Sequence, residues 1–317
     1  MRWVVLLFYS LGFIFLGLAL PLLVVVWSIN CPRASTLSPH SKSWLNTPEQ
    51  HAISYVVKGD EIPYVVVEPF GDIPTQRGRV LRKQLESRGI NNSSFGEMHQ
   101  HLILLHGRNG RKENLFALAE RYCAVGYRCI IPDLPAHGES LMKKGYFGYG
   151  ALEQKLLVEM IEAEERELRF KKKPVVWGIS MGGAYAAHLV GRQPDLFEAC
   201  VLLSTFDTLE NVIKDKCKKQ WLISFVLSSA KVLFQFDITR ANSAKALSHS
   251  KVPLLVAHGV EDTYIPSAMG RRLYEGCSAQ TKRWVEVKGA NHKNILITDY
   301  ELHAEIVTFL KKNSLFN

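Results

Sequence analysis

Short apolar runs alternate with longer amphipathic stretches along most of the chain, and their order predicts the fold class. Residues 102–105, 128–131, 175–177, 200–203, 254–257 and 284–287 are strand-length and largely apolar. Helical spacing predicts helices over 112–125 and 151–170, from Gly182, near 267–274, and a final one from Tyr300. Strands without polar alternation need cover on both faces, and amphipathic helices between them supply it. The expected class is therefore α/β, with a mostly parallel central sheet and helices on both faces. Ahead of this pattern, 53–57 and 62–67 flank Lys58-Gly59-Asp60-Glu61 and predict a hairpin.

The amino terminus breaks the pattern. No Asp, Glu, Lys, Arg or His occurs between Trp3 and Asn30. At about 1.5 Å per residue a helix of that length exceeds a hydrocarbon core of roughly 30 Å, and Trp3 and Trp27 mark its two ends. The apolar run is longer than the roughly 7–15 residues of a cleaved signal, and Trp27-Ser28-Ile29-Asn30-Cys31 lacks a small-residue cleavage site. Residues 1–30 are thus expected to be a retained single-pass membrane anchor. Arg2 before it and Arg33 and Lys42 after it leave the charge bias nearly flat, tilted slightly toward an exoplasmic catalytic domain. Residues 31–51, rich in Ser, Pro and Thr, read as a juxtamembrane linker, and 52–317 as the globular domain. Residues 69–99 form a polar insertion in which 79–88 suits a short surface helix carrying Val80, Leu81 and Leu85 on one side.

Composition narrows the partners. Hydrophobic residues make up 47% of the chain, which supports a large core and excludes a disordered protein. The formal charge of +9 favours anionic surfaces, yet the Lys and Arg residues are scattered and no nucleic-acid-binding motif accompanies them. Six cysteines without C-x-x-C pairs indicate neither a metal site nor a disulfide framework. No cofactor is called for.

Four strand ends carry the residues with chemical potential, and in a parallel sheet the ligand site lies beyond those ends. Gly178-Ile179-Ser180-Met181-Gly182 fits G-x-S-x-G between a strand and a helix. A serine hydroxyl needs a base to take its proton and an acid to orient that base. Asp262, in HGVEDTYIP after one later strand, and His292, in GANHKN after the next, occupy the expected places; Glu261 is a rival acid. His258, His106 and His137 sit in turns beside glycines and read as structural. A tetrahedral oxyanion needs two donors. The backbone amide of Met181 is one, and that of Arg108 in His106-Gly107-Arg108-Asn109-Gly110 is the expected second, with Asn109 the alternative.

HGRNG, DLPAHGES at 133–140, GISMGG, HGVEDTYIP and GANHKN occur in an order that resembles the α/β-hydrolase superfamily, in particular its monoacylglycerol lipase and serine aminopeptidase-like branch. The resemblance implies the α/β-hydrolase fold with a short cap at about 205–250, and cofactor-free acyl transfer through Ser180, His292 and Asp262. The chain lacks the HGGG form of the oxyanion loop, and the anchor and the insertion lie outside the family core. The apolar cap runs at 221–227 and 232–236 suit a lipid-like acyl substrate or packing on the core. The expected function is a membrane-anchored serine hydrolase of carboxylic esters or thioesters. A peptidase of the same fold and a non-catalytic binding protein are the alternatives.

Overall fold

The computed structural model describes residues 36–37, 39–47, 53–69, 75–90, 100–142, 150–217, 219–233, 235–298 and 300–314. The charge-free run at 3–30 lies outside the described residues. Among the described residues no helix is long and apolar enough to cross a membrane.

Eight strands form one sheet in the order β1-β2-β4-β3-β5-β6-β7-β8. β1 (Ile53–Lys58) and β2 (Tyr64–Pro69) are the expected hairpin, and β2 also runs antiparallel to β4 (Tyr127–Pro132). From β4 onward every pairing is parallel, through β3 (Gln100–Leu105), β5 (Val175–Ile179), β6 (Ala199–Leu203), β7 (Leu254–Gly259) and β8 (Lys282–Val287). Successive side chains of a strand point to opposite faces, which divides the core in two. Ile103, Leu105 and Val176 enter one apolar cluster, Leu102, Leu104 and Trp177 the other.

The first face is covered by α4 (Ala151–Leu168), α5 (Met181–Arg192) and the cap. The cap comprises α6 (Leu209–Lys216), α7 (Gln220–Leu233), a 3-10 turn (Ile238–Arg240) and α8 (Ser243–Leu247), followed after β7 by α9 (Ser267–Gly276). Val226 and Ala230 turn one side of α7 into this core and Ile223 on the same side is buried, while Trp221 and Val232 on its other side are exposed. The opposite face is covered by α3 (Phe116–Cys123) and α11 (Tyr300–Ser314), the latter preceded by the single turn α10 (Ile295–Thr298).

Two stretches differ from their sequence reading. Residues 31–51, read as a linker for want of periodicity, contain α1 (Pro39–Asn46), whose Trp44 is buried edge-on against Phe116. The helix expected at 79–88 begins earlier, as α2 (Gln76–Ser87), where the Thr75 hydroxyl accepts from the Gly78 amide. It buries Leu81 and Leu85 in the second core, and Arg77 pairs with Glu120 while Arg88 pairs with Glu301 and Glu305. It is thereby tied to α3 and α11.

Candidate active site

The corner between β5 and α5 is too crowded for side chains. A Cβ on Gly178 would lie 2.2 Å from the Gly182 carbonyl oxygen, and one on Gly183 would lie 2.6 Å from Thr205 Cβ. Ser180 itself has φ 55° and ψ −119°, a conformation seldom adopted by L residues. Its neighbours hold it there. The Ser180 amide donates to Leu203 O at 2.9 Å, and the Thr205 hydroxyl donates to Ser180 O at 2.6 Å. The hydroxyl therefore stands at the amino end of α5, where unpaired amides and the helix dipole favour negative charge.

Ser180, His292 and Asp262 are brought together from three strand ends. His292 Nδ1 lies 2.8 Å from Asp262 Oδ2, and its Nε2 lies 3.0 Å from Ser180 Oγ. An ionised carboxylate only accepts, so Nδ1 carries the proton and the Nε2 lone pair faces the serine. Glu261, the rival acid, is exposed.

Asp262 is built into its turn. Its Oδ1 accepts from the amides of Tyr264 at 3.0 Å and Ile265 at 2.8 Å. Burial alone would raise its pKa. Hydrogen bonds from His292 and the Ile265 amide, with the His258 ring close by, outweigh that penalty and hold the carboxyl well below the usual carboxylate range.

The remaining motif histidines serve the scaffold. His258 Nε2 donates to Ile265 O at 2.8 Å and stands 3.6 Å from Asp262 Oδ2, fully buried. His106 donates from Nδ1 to Gly107 O and accepts at Nε2 from the Leu134 amide, which joins HGRNG to DLPAHGES. Burial lowers its pKa to about 4 and that of His137 to about 3, keeping both rings neutral.

DLPAHGES has its own anchor. Asp133 accepts from the Lys112 amide, the Lys112 ammonium and the Glu139 amide, at 2.8, 2.8 and 2.9 Å. Gly138, at φ 51°, lies so close that a Cβ there would be 2.1 Å from Asp133 Cγ.

Of the two expected oxyanion donors, Met181 is the first residue of α5. Arg108 sits in a turn closed by the Gly110 amide on Gly107 O at 3.0 Å. That turn abuts the serine, since a Cβ on Gly107 would be 3.5 Å from Ser180 Cβ.

Two contacts escape the sequence reading. The Tyr264 ring leans on His292, with centroids 4.8 Å apart, and Lys216 of the cap donates to Thr263 O at 3.0 Å beside that ring. Tyr264 lies within HGVEDTYIP, but only proximity to His292 distinguishes it.

Residues 100–227 match the family model described as the alpha/beta hydrolase fold. The backbone is similar to that of the Pyrococcus furiosus esterase Pf2001, with a TM-score of 0.61 at 19% identity, over 90% of this chain and 99% of that one. The chain has the α/β-hydrolase fold. Among curated relatives it is 26% identical over 229 residues to the uncharacterized membrane protein YNL320W of Saccharomyces cerevisiae, covering 68% of this chain and 78% of that one. It is also 26% identical over 198 residues to the lysophosphatidylserine lipase ABHD12 of Danio rerio, 60% of this chain but only 50% of the relative. A thermostable monoacylglycerol lipase of Bacillus sp. strain H-257 is 22% identical over 223 residues, covering 63% of this chain and 84% of the lipase. On this hydrolase fold the corner at Ser180 lies at the carboxyl ends of the parallel strands, where ligands bind.

Proposed function

We propose that the chain is a serine hydrolase cleaving carboxylic esters or thioesters of lipid-like acyl substrates, with Ser180 as nucleophile, His292 as base and Asp262 as its orienting acid. The observation that carries this reading is the unbroken chain of contacts from Ser180 Oγ through both nitrogens of His292 to Asp262. Support for the substrate class comes from the lipase activities named for two relatives and from the apolar cap.

Ser180 Oγ attacks the acyl carbon while His292 Nε2 takes its proton, and the imidazolium is stabilised by Asp262. The amides of Met181 and Arg108 receive the developing oxyanion. His292 then protonates the departing alcohol or thiol, and water attacks the acyl-enzyme by the same steps in reverse.

We also propose that residues 3–30 hold the enzyme at a membrane, on the strength of their charge-free sequence. Release by alkaline carbonate without detergent would remove that part and leave the chemistry untouched.

A fluorophosphonate probe tests the nucleophile: wild-type protein takes the label and Ser180→Ala does not. Labelling that survives the substitution overturns the assignment. Profiling acyl esters of increasing chain length against aminoacyl amides tests the substrate class, and cleavage of amides alone would overturn the ester reading.

A further inference from the structure

The turn that follows β7 does more than present Asp262. Residues 262–265 are drawn together by the Asp262 carboxylate, which accepts from the amides of Tyr264 and Ile265. His258 pins the far end, donating from Nε2 to Ile265 O at 2.8 Å. The Tyr264 backbone is therefore fixed to the same carboxylate that meets His292. Its ring is carried toward that histidine, with centroids 4.8 Å apart and planes inclined at 47°.

Tyr264 is nevertheless 50% exposed. A half-exposed ring gains only part of the free energy of core burial, so burial does not account for its place. Its neighbours do. One is His292, whose side chain is itself 19% exposed, and the other is Lys216 at the end of α6, with Nζ 5.5 Å from the ring centroid. The same ammonium donates to Thr263 O at 3.0 Å and pairs with the adjacent Asp215 at 2.9 Å. An ammonium has three N–H donors, so Lys216 ties the cap to this turn while its charge stays balanced by Asp215.

The hydrogen bonds of His292 to Asp262 and Ser180 sit at its two nitrogens and fix the ring along the line joining them. Tilt about that line is set by what packs against the ring, and Tyr264 is the aromatic neighbour there. The need is greatest after proton transfer. Ser180 Oγ is then bonded to the acyl carbon, and an aromatic ring within about 6 Å attracts the imidazolium while it delivers its proton to the leaving group.

We propose that Tyr264 is a positioning residue for His292, and that Lys216 makes its position depend on the seating of the cap. The proposal rests on Ser180 and His292 acting as nucleophile and base. A cap displaced at α6 releases Thr263 and Tyr264, and with them the tilt of the base, so proton transfer is fastest with the cap seated.

Full-length protein in neutral detergent is assayed with p-nitrophenyl acetate, whose acyl group is too small to need the cap as a wall, and its rate of labelling by a fluorophosphonate is measured in parallel. Tyr264→Ala is expected to lower kcat and the labelling rate at least about tenfold, with KM held within about twofold. Tyr264→Phe restores both, since the ring makes the contact. Lys216→Met, at an exposed position of the cap, lowers kcat in the wild-type background but adds nothing in the Tyr264→Ala background. It also tests the coupling should alanine at 264 unfold the turn, which urea midpoints report. Lys214→Met, on the same helix and paired with Glu210, is the control for loss of a cap cation.

The proposal is overturned if Tyr264→Ala raises KM at unchanged kcat, which makes the ring a substrate contact, or if Tyr264→Phe falls as far as alanine. It is overturned equally if Lys216→Met adds to Tyr264→Ala or acts no more strongly than Lys214→Met. Wild-type protein that takes no label overturns the serine-hydrolase reading and this proposal with it, whereas labelled wild type with unaffected variants overturns the proposal alone.

Discussion

A Cβ added to Gly182 would lie 2.2 Å from the carbonyl oxygen of Leu105. The first turn of α5 thus rests directly on the end of β3, the strand that leads into HGRNG. This contact sets the distance between the serine and the Arg108 turn. Gly182→Ala is expected to cost about 1–3 kcal/mol in stability, as overpacking does, and to reduce turnover beyond that loss by moving the turn. Urea denaturation and kinetics on the folded fraction check it; normal turnover at normal stability would contradict the contact.

Ser180 occupies a backbone conformation that suits glycine. Ser180→Gly is expected to stabilise the fold by about 1 kcal/mol, relief of backbone strain exceeding the added freedom of the unfolded chain. Under the proposed mechanism the same change removes activity. A less stable variant would mean that the corner is not strained.

Five buried histidines set an acid limit on stability. Burial lowers His101, His106 and His188 to about 4, and His137 and His303 to about 3. An unfolded histidine titrates near about 6.5, so between that pH and the folded values the unfolded chain binds more protons. Stability is therefore complete above about pH 6.5 and falls as pH drops, each histidine contributing at most about 1.4 kcal/mol per pH unit. Urea midpoints across this window should decline steadily, and a flat profile down to about pH 4.5 would rule the effect out.

Lys112 is buried against Asp133, whose side chain is wholly inaccessible. Burial disfavours its charge, but hydrogen bonds to Asp133 and Glu139 raise its pKa. Lys112→Met leaves the carboxylate buried beside a thioether and is expected to cost about 3–5 kcal/mol. Adding Asp133→Asn should restore part of that loss. A loss below about 1 kcal/mol in the single variant would show the pair to be dispensable.

Under the proposed mechanism Asp262 links structure to rate. With Asn in its place the amide no longer fixes the proton on His292 Nδ1, and kcat is expected to fall by about 10⁴ while labelling of Ser180 slows in parallel. Its carboxyl, held low in the folded protein, stabilises above the unfolded value near about 3.9 and loses that contribution as pH falls past it. The stability gap between wild type and Asp262→Asn should therefore narrow below about pH 4.

The strands were legible because fully buried strands must be apolar on both faces, a condition written residue by residue in runs such as 175–177, whereas their order across the sheet, with β4 between β2 and β3, was not. Helix ends were less so. The helix expected over 112–125 opens instead as a 3-10 turn (Lys112–Leu115), because Asp133, distant in sequence, captures the Lys112 amide and ammonium. The helix expected to reach residue 170 stops at Leu168, where Arg169 turns left-handed at φ 47°. α1 left no periodic trace because its buried residues, Ser41 and Trp44, include a single large apolar side chain.

By itself the sequence determined that a serine, an acid and a histidine would follow three strands of one sheet, since strand ends converge in any parallel sheet. Only the tertiary structure decided between Asp262 and Glu261, because neighbouring side chains of a turn diverge and just one of them faces His292. It also turned DLPAHGES from a motif into a brace for the HGRNG turn, through the His106 ring that accepts from the Leu134 amide. Such bracing depends on how loops distant in sequence pack, and no local pattern in the chain encodes it.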